Sequence, residues 1–231
     1  MLSRTRAIVL HLSKHTDKTS IAHLYTRRYG RVNCVVYGIG SSRGKQKRGI
    51  FRPLTIIETD ADFEQQSKMP VLALGAITVV TAIQHDDIIH NSVVLFLAEV
   101  LYKSLQHPLS DIVLFDWLEE EIKALDASEL SPNQHIRFLI NYAKYLGIMP
   151  DIENNAAIEI DSVLDEQTHT KLFSKKETEV LSKLIRNDDV ISRRQRQILL
   201  DKLCKYYMVN IDGFTYPKSI DMLTEIFNTN N

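Results

Sequence analysis

Cysteine is nearly absent: Cys34 and Cys204 are the only two in 231 residues. One lies in a strand-like run and the other in a helix-like run, which excludes a disulfide framework and a thiolate zinc site and suits a reducing compartment. Long hydrophobic runs are missing too. The longest, residues 71–83, falls below the ~18 residues a membrane-spanning helix needs. The apolar run at 7–10 is too short for a signal sequence. These absences predict a protein with no membrane association, in the cytoplasm. Catalytic sets are also lacking. His11, His15 and His23 have neither helical i, i+4 spacing nor accompanying carboxylates. The nearest approach to a ligand cluster is His85, Asp86 and Asp87 with His90, at a strand-to-helix connection that would be polar in any case. The expectation is a protein that is not an enzyme, with no cofactor and no metal.

What is present is charge, unevenly spread. The net charge of −1 conceals a division: residues 1–59 hold twelve Lys and Arg against Asp17 and Glu58, a net of +10, and the remainder carries −11. Such opposition predicts two domains with different tasks, the first facing a polyanion. The focus is residues 38–52, GIGSSRGKQKRGIFR, with Arg43, Lys45, Lys47, Arg48 and Arg52, four glycines and no acid, between two strand-like runs. Two nucleotide fingerprints fail here on spacing. A P-loop ending at Gly44-Lys45 would need glycine where Ile39 stands and a hydroxyl where Gln46 stands. The dinucleotide fingerprint would need glycine in place of Arg43. A cationic loop without fixed catalytic geometry remains, suited to phosphates spread along a backbone.

Periodicity predicts an α+β chain: an all-β N-terminal barrel of the OB kind over residues 1–82, then an all-α domain over 83–231. Strands are predicted at 6–12, 20–26, 31–37, 51–59 and 71–80, with Tyr29-Gly30-Arg31 as a hairpin turn. Helical patterns follow at 92–105 and 111–125. The Ser131-Pro132-Asn133-Gln134 run reads as a capping box opening a third helix that closes at Gly147. Residues 151–170 are polar and read as a surface excursion. Capping boxes at Ser174-Lys175-Lys176-Glu177 and Ser192-Arg193-Arg194-Gln195 open two more helices, and 218–227 forms the last.

Single-strand binders combine a cationic groove with aromatic faces on which bases stack, and Tyr25, Tyr29, Tyr37 and Phe51 lie among the basic residues. Alternation along a strand sends about half of these inward, leaving Tyr29 and Tyr37 as the better surface candidates. The order of short signals is also distinctive: Thr5-Arg6-Ala7-Ile8-Val9-Leu10, Asp17-Lys18, Leu24-Tyr25-Thr26, Tyr29-Gly30-Arg31, Val36-Tyr37-Gly38 and Phe51-Arg52-Pro53-Leu54. Over residues 1–80 it resembles the N-terminal domain of the RecO family of DNA repair and recombination mediator proteins. Beyond that, the match is one of helical architecture and total length.

The resemblance implies an OB-fold that binds single- and double-stranded DNA and promotes annealing. It also implies work with RecR and single-stranded DNA-binding protein to load RecA, in a cytoplasmic, nucleoid-associated setting. It further implies that the helical domain receives the acidic C-terminal tail of the single-stranded DNA-binding protein. Many members carry four zinc-binding cysteines in the excursion after the third major helix; residues 151–170 contain none, so zinc is not carried over. Where the family often has Lys before the glycine opening the basic loop, this chain has Tyr37. The expected DNA-binding set is Arg4, Arg6, Arg27, Arg28, Arg31, Tyr37, Arg43, Lys45, Lys47, Arg48 and Arg52. The expected partner-binding set is Arg137, Lys144, Arg193, Arg194 and Arg196, cations able to rim an apolar groove. Two rival readings are a metal-dependent nucleic-acid-processing enzyme using His85, Asp86 and Asp87, and an RNA-binding OB-fold protein.

Overall fold

A computed structural model describes residues 2–39, 46–63, 69–83, 85–127, 131–150, 152, 158–162, 165–186 and 191–229. The architecture is α+β, an OB-like sheet followed by helices. Three long strands form its spine: β1 (Ser3–Lys14), β2 (Thr19–Thr26) and β3 (Gly30–Tyr37). They are joined by tight turns and pair antiparallel throughout. A short 3₁₀ segment, Gln46–Phe51, leads to β4 (Ile56–Ala61), which pairs antiparallel with β1. The predicted single strand at 71–80 is instead β5 (Val71–Leu72), a 3₁₀ turn, and β6 (Thr78–Thr81). The sheet therefore has six strands rather than five, in the order β5-β3-β2-β1-β4-β6.

Alternation along each strand fills the interior. Val9, Ala22, Leu24, Cys34, Val36, Ile57 and Leu72 form one buried cluster with Ile39 and Phe51. The opposite face of the spine is covered as well. Tyr25 is only 2% exposed and stacks on Phe115 with ring centroids 6.1 Å apart. Phe115 belongs to α2 (Ile112–Ala127), which follows α1 (Ile88–Ser104). Covering both faces explains the unbroken buried run Ala7–Leu10 in β1.

α1 starts at an Asp87 cap whose carboxylate accepts from the backbone N–H groups of Ile89 and His90. The last helix, α6 (Ser219–Thr229), returns to α1, where the N–H and hydroxyl of Ser219 both donate to Glu99. Accordingly, one compact unit comprises Met1–Glu129 together with Ser219–Asn231. The second unit is Leu130–Lys218. The strands of the first unit end at Thr81 and its helices begin at Ile88, yet α1, α2 and α6 belong to the same compact unit as the sheet.

The second unit is built around α3 (Gln134–Tyr145), α4 (Lys175–Ile185) and α5 (Arg193–Asn210). Both predicted capping boxes that open α4 and α5 are formed. The predicted box at Ser131 is not: the N-cap is Asn133, its side chain makes no capping bond, and the Ser131 carbonyl closes a turn onto the Gln134 N–H. Tyr207 supplies the central buried contact, donating its hydroxyl to the Leu139 carbonyl at 2.7 Å. Its ring lies 6.1 Å from that of Tyr142 and 5.6 Å from that of Phe214. Part of the predicted excursion forms an antiparallel hairpin of β7 (Ile158–Ser162) and β8 (Asp165–Phe173). It delivers Phe173, fully buried, edge-on to Tyr206 at 6.3 Å.

Candidate nucleic-acid interface

The cations expected to contact a polyanion fall into two groups. The first is already engaged. Arg4 donates to Glu58 at 2.6 Å and Arg6 donates to Glu119 at 2.7 Å. Arg27 binds Asp116 through two bonds, at 2.7 and 2.9 Å. Together with Arg28, Glu120 and Lys123, these residues line a charged cleft of about 570 Å³. Glu119 is 4% exposed. Burial pushes its carboxyl up, but hydrogen bonds and charge from Lys123 and Arg6 outweigh that and hold it below the ordinary carboxylate range.

Arg31 is engaged differently. Its guanidinium donates to the carbonyls of Tyr102 and Leu105 at the C-terminal end of α1, at 3.3 and 3.4 Å, where a helix presents negative partial charge. It also lies 4.5 Å from the Tyr102 ring centre. Burial lowers its pKa, an effect partly offset by Tyr102. Arg31 is thus a fastener between sheet and helix rather than an open cation.

The second group faces solvent. Arg48 lies within the 3₁₀ segment and Arg52 just past its end, both exposed and without an ion-pair partner among the described residues. Arg28 is exposed as well, 5.7 Å from the Tyr29 ring centre. Tyr37 is 56% exposed, as expected of a surface aromatic. Tyr29 is half-buried and stacks on Phe63 at 5.1 Å. Tyr25 and Phe51 are buried. Arg43, Lys45 and the side chain of Lys47 lie outside the described residues.

One cation on this side has no place in the sequence-based set. Lys14, at the end of β1, borders a cavity of about 260 Å³ with Leu12, Thr16, Asp17, Ser20, Ile39 and Arg48. The signal that could have found it is strand register. Lys14 pairs with Ser20, and Ser20 with Val36, so Lys14 shares the inward-facing row of the sheet.

In the second unit, Arg196 donates to Asn133 Oδ1 at 3.4 Å and to the Ile191 carbonyl at 3.5 Å. Arg194 and Lys144 are exposed. Buried guanidinium nitrogens of Arg137 (Nε) and Arg193 (Nε and Nη2) have no hydrogen-bond partner among the described residues. A small apolar groove of about 100 Å³ between α4 and α5 is lined by Val180, Ile198 and Leu199, with Lys176, Glu177 and Gln195 at its rim. The His85 cluster is committed to structure. Asp87 caps α1, His85 Nε2 sits 2.9 Å from the Asp126 carbonyl, and the His85 and His90 rings stack at 3.9 Å. No three His, Cys, Asp or Glu side chains among the described residues converge as a metal site. No helix among them is long and apolar enough to cross a membrane.

The family models for the N-terminal and C-terminal parts of recombination protein O match residues 1–76 and 85–175. Similarity extends over the full length: 32% identity to the DNA repair protein RecO of Flavobacterium johnsoniae, covering 98% of this chain and all of that protein. The chain belongs to the RecO family. The RecO protein of Flavobacterium psychrophilum is 30% identical and that of Bacteroides fragilis 28%, each across 98% of this chain and the whole relative. The interval between the two RecO family models, residues 77–84, holds β6 and ends ahead of α1.

Proposed function

We propose that this RecO-family chain is a non-enzymatic DNA-binding mediator. It binds single- and double-stranded DNA, anneals complementary strands, and acts with RecR to load RecA onto single strands. The observation that carries this reading is the pair Arg48 and Arg52, exposed and unpaired among the described residues, at the end of a stretch, residues 38–52, that bears three more cations in Arg43, Lys45 and Lys47. Cations left without carboxylate partners are free to neutralise phosphates and release counterions. Phosphate contacts position a strand without reading bases, so sequence preference is low. Residues 1–82 carry the DNA contacts and residues 83–231 the protein contacts, in the cytoplasm at the nucleoid.

The partner contact is the acidic C-terminal tail of single-stranded DNA-binding protein. The exposed cations Lys144 and Arg194 favour a carboxylate-rich peptide. The apolar groove of Val180, Ile198 and Leu199 offers its apolar residues a seat. The test is annealing of complementary oligonucleotides coated with single-stranded DNA-binding protein. The full chain accelerates it, and charge reversal at Arg193 and Arg194 removes the acceleration on coated strands while leaving naked strands unaffected. No acceleration on either substrate contradicts the proposal.

A further inference from the structure

We infer that the open end of the barrel interior receives an unstacked nucleotide of single-stranded DNA, its base against Leu12 and Ile39 and its phosphate on Lys14 and Arg48. This deepens the DNA-binding reading above and rests on it. Strand register places the cavity. Leu12 pairs with Ala22 and Ala22 with Cys34, three residues facing the core; two positions on, Lys14 pairs with Ser20 and Ser20 with Val36. Side chains two apart share a face, so Lys14 and Ser20 continue the inward row past the point where the core closes.

What lies there is a cavity with an apolar floor and a polar rim. Leu12 packs against the core cluster and Ile39 belongs to it, while Lys14, Thr16, Ser20 and Arg48 form the edge. Its volume of about 260 Å³ is just under the range typical of drug-sized ligands, a space for one base and its sugar. A base stacked in a duplex cannot enter unless it is flipped out, so the cavity favours single strands. Its wall is prebuilt. The Thr16 hydroxyl accepts from the N–H groups of Lys18 and Thr19, and the Lys18 carbonyl accepts from the Gly38 N–H, tying the β1–β2 turn to the end of β3.

One group opposes phosphate: Asp17, which accepts from Lys14 at 2.7 Å. Both side chains are largely exposed, 74% for Lys14 and 94% for Asp17. Exposed pairs of this kind contribute little, so a phosphate displaces Asp17 from Lys14. Asp17→Asn therefore tightens binding to single strands severalfold.

The test uses the full chain and two fluorescent probes of equal length: oligothymidylate, and the same backbone carrying abasic sites. Loss of an inserted base weakens binding about tenfold. Ser20→Leu, which fills the cavity, brings the two probes within about twofold of each other. A fluorescent base analogue in the single strand provides a readout on the unaltered protein, since insertion shields it from acrylamide quenching. Equal affinity for both probes, or unchanged quenching, overturns the nucleotide pocket while leaving DNA binding intact. Binding of neither probe at low salt overturns both readings.

Discussion

Arg27 holds Asp116 through two parallel hydrogen bonds, Nε to Oδ1 at 2.7 Å and Nη2 to Oδ2 at 2.9 Å. The pair links the β2–β3 turn to α2 and uses the fork geometry that a phosphate would otherwise occupy. Arg27→Ala therefore lowers the urea midpoint of unfolding and scarcely changes affinity for DNA. Arg27→Lys recovers only part of the stability, because an ammonium cannot make the paired contact.

Acid weakens the second compact unit through His135. This side chain is buried and beside the Arg196 charge; burial first, then that charge, pushes its pKa down from 6.5 to about 3. Below pH 6.5 the unfolded chain takes up a proton that the folded chain refuses, so stability falls as pH drops across the window from 6.5 to about 3. The slope contributed is at most about 1.4 kcal/mol per pH unit. Urea titrations at pH 7, 6 and 5 measure it, and His135→Leu removes that share of the slope.

Gly30 joins β2 to β3 with φ of +63°. A Cβ there would lie 2.4 Å from the backbone oxygen of Leu109. Gly30→Ala combines left-handed strain of roughly 1–2 kcal/mol with a backbone clash of similar or larger size. The expected result is a loss of several degrees or more in Tm, with the DNA contacts of the folded fraction unchanged.

Local signals in the sequence translated well. Ser174 with Glu177 and Ser192 with Gln195 form their reciprocal caps because both partners sit within one turn. The same reasoning missed at Ser131, where a turn of Ser131 onto Gln134 moves the cap to Asn133. Burial of Tyr25 on Phe115 was not legible, since strand alternation says which residues share a face but not that a helix covers the outer one. The hairpin at 158–173 was hidden by its polar composition. Most consequential were Arg6 with Glu119 and Arg27 with Asp116, ion pairs far apart in sequence. A count of charges registers such residues as open cations, whereas tertiary pairing neutralises them; Arg31, spent on helix carbonyls, disappears from the count in the same way.

That division between engaged and open cations is the centre of the account, and salt-dependent binding to single-stranded DNA tests it most directly. Fluorescence anisotropy across a salt series compares two variants: Arg43, Lys45, Lys47 and Arg48 replaced by Ala, and Arg6 and Arg27 replaced by Ala. The first is expected to bind weakly and to flatten the slope of log K against log salt by up to about 3, near 0.7 for each lost phosphate contact. The second retains a slope close to that of the unaltered chain. A wild-type slope for the first variant, or equal flattening in both, contradicts the account.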